Sequence, residues 1–113
     1  MRDLIRQVIL SESNDEFGVL FLEFLLYATR NPEARAKLVA HTRRSRDAVT
    51  QMIEHEWARR GLVPEISPHA EATISLALFN GLGMERLVDP DAVDEEMIET
   101  TLRFMYKAIG VDD

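Results

Sequence analysis

Three dipeptides, Asn31-Pro32, Ser67-Pro68 and Asp89-Pro90, set the phase of this chain. Each pairs a side-chain acceptor suited to a helix N-cap with a proline at the first helical position. There the missing N–H sacrifices no hydrogen bond and the fixed φ suits the helix. Each also opens a long stretch with helical periodicity. Ser13-Asn14-Asp15-Glu16 adds a fourth start signal, a capping box with Ser at the N-cap and Glu at N3. The pattern predicts five helices: about Arg2 to Leu10, Asp15 to Arg30, Pro32 to Arg60, Pro68 to Val88, and from Asp89-Pro90 to near Gly110. The third is long enough that a kink or break near His41 to Ser45 is expected. Arg59 and Arg60 suit its C-terminus, with Gly61 as the natural C′ residue. No segment shows sustained strand alternation. The expected fold is all-α, an antiparallel helical bundle forming a single domain over residues 1–113.

Composition narrows the function. The chain has 113 residues, no cysteine and a formal net charge of −7. That excludes thiolate chemistry and a disulfide framework, and it fits a cytoplasmic protein. Nucleic-acid binders carry a basic face that displaces counterions from phosphate. Here the only basic cluster is Arg43-Arg44 with Arg46, so this chain by itself is a poor DNA binder. The longest apolar run, Val19 to Ala28, is interrupted by Glu23 and is too short to span a bilayer.

The helix faces carry more detail. The second helix, from Phe17 to Ala28, is apolar almost all round and is expected to be buried on every side. Glu23 in its middle must then be paired, hydrogen-bonded or protonated. Tyr27 lies one turn on and shares its face. Glu23 is open to two readings, a structural hydrogen bond or a polar contact in a ligand pocket. The third helix presents Leu38, Thr42, Ser45, Val49, Met52 and Glu56 as its inward stripe. Thr42 and Ser45 are small and polar where a packed core would take leucine. Either they mark a cavity with polar handles, or their hydroxyls bond back to the preceding turn. His41, flanking the stripe, reads as a surface residue.

The last two helices carry too much apolar surface for a small core. Ala77, Gly81 and Met84 on the fourth helix, with Ile98, Thr101, Leu102 and Met105 on the fifth, are the expected interface of an isologous homodimer. In a monomer the first helix would have to cover that surface instead.

No catalytic constellation stands out. His55-Glu56 lacks the second histidine of a zinc-protease motif, and the three histidines have no metal-site spacing. There is no phosphate-binding glycine loop after a strand, no nucleophile elbow and no Glu-x-x-His pairing for a di-iron bundle. Neither enzyme activity nor a metal or other cofactor is expected.

The stretch Phe21-Leu22-Glu23-Phe24-Leu25-Leu26-Tyr27-Ala28-Thr29-Arg30-Asn31-Pro32-Glu33-Ala34-Arg35 resembles the core helix and turn of the C-terminal domain of TetR-family transcriptional regulators. So does Trp57-Ala58-Arg59-Arg60-Gly61-Leu62-Val63-Pro64, and so does Phe79-Asn80-Gly81-Leu82-Gly83-Met84-Glu85 followed by Asp89-Pro90-Asp91. The resemblance covers about Leu4 to Gly110. It implies a domain that binds a small hydrophobic effector and dimerises through its last two helices. DNA would be bound by an N-terminal helix-turn-helix, which these residues do not include, so the chain reads as a fragment or a stand-alone sensor. The implied effector pocket lies between the second, third and fourth helices, at Leu20, Glu23, Phe24, Tyr27, Thr42, Ser45, Val49, Met52 and Phe79. The competing expectation is a ligand-free helical module that only dimerises.

Overall fold

The computed structural model describes residues 12–109. The expected first helix, Arg2 to Leu10, lies outside them. Among the described residues there are four α-helices: α1 (Glu12–Arg30), α2 (Pro32–Arg60), α3 (Pro68–Val88) and α4 (Glu95–Ala108), with a 3₁₀ turn at Pro90–Ala92 before α4.

Two of the proline signals work as expected. The Asn31 side-chain oxygen Oδ1 accepts from the Ala34 N–H at 3.1 Å, with Pro32 in the first turn of α2. The Ser67 hydroxyl oxygen accepts from the Ala70 N–H at 3.0 Å at the start of α3. Gly61 ends α2 at φ 67°, ψ 28°. Its N–H reaches Ala58 O at 3.3 Å and the Leu62 N–H reaches Trp57 O at 2.9 Å. That pair is a Schellman closure, and the left-handed backbone it needs is the reason for a glycine there.

Three expectations are corrected. α1 is already helical at Glu12, so Ser13 sits inside the helix and is not its N-cap. Extending a formed helix by a turn is easier than nucleating one, and serine in a first turn does not stop it. α2 runs unbroken from Pro32 to Arg60, so of the expected kink or break between His41 and Ser45 the break is not found. Asp89-Pro90 opens only the 3₁₀ turn. There Asp89 Oδ1 accepts from the Asp91 N–H at 3.1 Å. The chain then leaves helical geometry at Val93, which is buried, and restarts at Asp94. Asp94 Oδ1 caps α4 by accepting from the Met97 N–H at 2.8 Å. Glu95 and Glu96 in the first turn suit the positive helix end.

α2 packs against both α1 and α3, most extensively against α3. Half-buried Phe21, Leu22 and Leu25 with buried Ala28 form the inward stripe of α1. A side chain at Gly18 would come within 3.2 Å of Leu87 Cδ1, so its absence lets α1 approach the last turn of α3. The tightest apolar cluster joins Val93, Ile98 and Leu102, with Phe79 and Leu82 of α3 and Tyr106 packed on it. Its residues on α4, Ile98, Leu102 and Tyr106, recur every four residues, on one face of the helix. The molecule is a slab 43 × 34 × 19 Å. Its thickness is less than two helix diameters of about 10–12 Å each. Such a layer leaves much apolar surface uncovered, and Trp57, Ala28 and Ala72 are among the few other buried apolar residues.

Candidate effector site and dimer face

The inward stripe of α2 decides what a site on this helix contains. Its more buried positions are Leu38, Thr42, Arg46, Val49, Ile53 and Trp57. The register is therefore one residue later than the sequence reading over its second half. Ser45 and Met52 turn outward and are exposed; Arg46 and Ile53 take their places. Trp57 sets this register, because the largest apolar side chain of the segment is the one that gains most from burial.

Glu56 sits beside Trp57 and makes a surface clasp instead. Arg59 Nε donates to Glu56 Oε2 at 3.1 Å, Arg59 Nη2 donates to Oε1, and Arg60 Nε donates to Oε1 at 2.7 Å. The hydrogen bonds from Arg59 and then Arg60 pull the Glu56 carboxyl down from 4.5 to about 2.

On α1 the expected pocket residues do not turn inward. Leu20, Glu23, Phe24 and Tyr27 are all exposed in the single chain. The helix buries its opposite stripe, so the expectation of a carboxylate buried at Glu23 is overturned. Phe24 and Tyr27 form a tilted ring pair with centroids 6.5 Å apart. The Tyr27 hydroxyl accepts from Asn31 Nδ2 at 2.9 Å.

Thr42 and Val49 are half-buried on the inward stripe. The Thr42 hydroxyl donates to Val39 O at 3.1 Å, and the Thr50 hydroxyl to Arg46 O at 2.7 Å. Thr42 thus bonds back to the preceding turn as one of the two readings has it, and Thr50, outside that reading, does the same. Phe79 belongs to a different place, the α3–α4 cluster. The proposed pocket thus falls into three groups: an outward face of α1, the inward face of α2, and the α3–α4 core.

The expected dimer residues divide as well. Ile98 and Leu102 are buried within the chain, at 0% and 3% exposure, so they hold α4 to α3 and cannot themselves meet a partner. Their stripe is the apolar face of α4 nearest α3. Ala77 and Met84 are exposed; Gly81, Thr101 and Met105 are half-buried. Val88 and Phe104, which the interface expectation omitted, are the most exposed large apolar residues of α3 and α4, at 87% and 73%.

Two polar features had no place in the sequence reading of the site. Glu71 and Ser75 on α3 are both buried, and the Ser75 hydroxyl donates to Glu71 Oε1 at 3.0 Å. Burial raises the Glu71 carboxyl above its ordinary value, with the Ser75 bond opposing it. The signal was a Glu and a Ser one helical turn apart, with Ala72 beside them. The second feature is Arg46, whose Nε is sealed from solvent and has no hydrogen-bond partner among the described residues.

The protein-family model described as "BetI-type transcriptional repressor, C-terminal" matches residues 1–110. The chain belongs to this family. The four helices described, with no strand among the described residues, agree with a TetR-type C-terminal domain. The family is one of transcriptional regulators and not of enzymes. Comparison with curated proteins and with solved structures returns no match. Among the described residues, no helix of this BetI-type domain is long and apolar enough to cross a membrane.

Proposed function

We propose that this domain is the effector-sensing and dimerising part of a cytoplasmic transcriptional repressor. It binds a small, mostly hydrophobic molecule and pairs with a second copy of itself. DNA is contacted by a helix-turn-helix that these residues do not include. Ligand shifts the population between two relative orientations of the subunits, so that two DNA-reading heads lose their match to half-sites about one helical turn apart.

The observation that supports this reading is the apolar surface the single chain leaves uncovered. The chain's total accessible surface, polar and apolar together, is 8149 Å², against about 6300 Å² for a compact monomer of its mass. Met84 and Val88 on α3 and Met97 and Phe104 on α4 are all exposed. A second copy packed on α3 and α4 removes them from water, the dominant gain in such association. A separate uncovered face, Val19, Leu20, Phe24, Leu26 and Tyr27 on α1, is apolar with one phenol. It supports a mostly hydrophobic ligand.

A ligand-free dimerisation module is the second reading. It is favoured by the Tyr27 hydroxyl, which Asn31 already engages, and by the solvent exposure of Glu23. Mass spectrometry of small molecules released on denaturing the purified chain separates the two. A stoichiometric released compound that raises the melting temperature when added back supports the sensor. No released compound, and no stabilisation by any member of an apolar-ligand library, supports the module.

A further inference from the structure

Neither effector binding nor pairing uses the cations in the first half of α2. Between Arg30 and Arg46 the chain carries six cationic side chains and one acid, Glu33, although its net charge is −7. Arg30, Arg35, Lys37, Arg43 and Arg44 are all exposed. Among the described residues, the α2 cations held in ion pairs are Arg59 and Arg60, both on Glu56. Lys37, Arg43 and Arg44 are held in none, although Asp47 lies one turn on from the two arginines.

This arrangement weakens the helix and returns nothing within the chain. Arg43 and Arg46 are like charges one turn apart, which is unfavourable on a helix. A local preference broken without a gain in the fold marks a surface that meets something else. Lys37 and Arg44 are two turns apart on one face, and Arg43 flanks them. They span about 10 Å of helix, the length of about three phosphates along one DNA strand. The same face lacks what other partners need. Among the described residues from Pro32 to Arg46, the one exposed large apolar side chain is Val39, at 36%. A membrane-surface helix buries an apolar face, and a protein interface has an apolar or aromatic core. Protein–DNA interfaces are more polar and more positively charged than either.

We propose that the exposed face of α2 at Lys37, Arg43 and Arg44 is a DNA-backbone contact, through which the sensing domain itself touches the phosphates of duplex DNA. The polyanion at hand for a transcriptional regulator is DNA. The contact is weak, because the rest of the chain is strongly acidic. It carries no sequence information, since phosphate contacts position a protein and base contacts specify the site. It supplements the helix-turn-helix and does not replace it. It depends neither on effector binding nor on pairing, which the released-compound measurement and the oligomeric state judge separately.

The test is fluorescence anisotropy of a labelled duplex of about 20 base pairs and arbitrary sequence, titrated with the 113-residue chain at neutral pH. At about 20 mM salt the expected Kd is about 100 µM or tighter, and log K falls against log salt with a slope of about −2 to −3, as for two or three neutralised phosphates. The triple variant Lys37→Ala, Arg43→Ala, Arg44→Ala is expected to keep its helical circular dichroism, lose at least about tenfold in affinity and flatten the slope. Arg44→Gln alone, which should flatten the slope by about one, stands in if the triple variant fails to fold. The control pair Arg59→Ala, Arg60→Ala removes cations already neutralised by Glu56 and should change affinity by less than about threefold. Absence of binding at about 20 mM salt overturns the proposal. An equal loss in the control pair also overturns it, because overall charge and not this face would then be the cause. Binding to phosphatidylglycerol vesicles without binding to DNA overturns it in favour of a lipid surface.

Discussion

Asn31 hydrogen-bonds Tyr27 across the junction of α1 and α2. Its Nδ2 donates to the Tyr27 hydroxyl at 2.9 Å while its Oδ1 accepts from the Ala34 N–H at 3.1 Å. One side chain therefore caps the longer helix and holds the phenol of the shorter one. Asn31→Ala is expected to cost about 1 kcal/mol in chemical denaturation, the usual loss for an N-cap. Tyr27→Phe removes only an exposed hydrogen bond and should cost well under about 1 kcal/mol. If Tyr27→Phe costs as much as Asn31→Ala, the cap is not the main contribution of this junction.

Glu71 and Glu56 give stability opposite pH dependences in separate windows. The folded value of Glu71 is raised, so the folded chain holds a proton that the unfolded chain releases near 4.5. Its favourable contribution is complete below that value and is lost as pH rises through the raised folded value. Glu71→Gln keeps an acceptor for Ser75 and cannot ionise. Its melting temperature should exceed that of the unmodified chain at about pH 8 and differ less at about pH 5. A variant that is less stable than the parent at both pH values refutes this assignment. The depressed Glu56 works the other way: its contribution is present above 4.5 and is lost as pH falls toward about 2. Being exposed, it contributes little, so Glu56→Gln should lower the melting temperature only slightly above pH 4.5 and make no difference near about pH 2.

Ile98 is fully buried against Val93 and Leu102. Ile98→Ala should destabilise the fold by about 2–5 kcal/mol in urea, the transfer and cavity cost of such a truncation. A loss below about 1 kcal/mol would mean that α4 is not held by this cluster.

Phe104 lies on the opposite side of α4 and is 73% exposed. Phe104→Glu should leave the helical circular dichroism unchanged and weaken self-association in sedimentation, because a charge at an interface core is unfavourable. Unaltered self-association would place the interface elsewhere.

The helices of the described region were largely legible because their signals are local. Asn31, Ser67 and Gly61 act through backbone groups within a few residues. The start of α4 was misplaced because two start signals compete, and burial of Val93 decides for Asp94 over Asp89-Pro90. The site was harder to read. Three-and-four spacing from Leu38 ends the expected stripe of α2 on Glu56, whereas Trp57, the more apolar neighbour, sets the register; the one-residue slip exchanges Ser45 for Arg46 and Met52 for Ile53. The apolar neighbours of Glu23 make it read as buried in the sequence. Yet an apolar helix is buried only where something covers it, and α1 leaves that side open in the single chain. Among the described residues the buried carboxylate is Glu71, beside the small residues Ala72 and Ser75 on α3.

Native mass spectrometry of the purified, tag-free chain tests the central claim most directly. The account predicts a species at twice the 12.9 kDa chain mass, together with the mass of any retained ligand. A clean 12.9 kDa monomer at micromolar concentration would contradict it, because the uncovered faces of α3 and α4 would then have no partner.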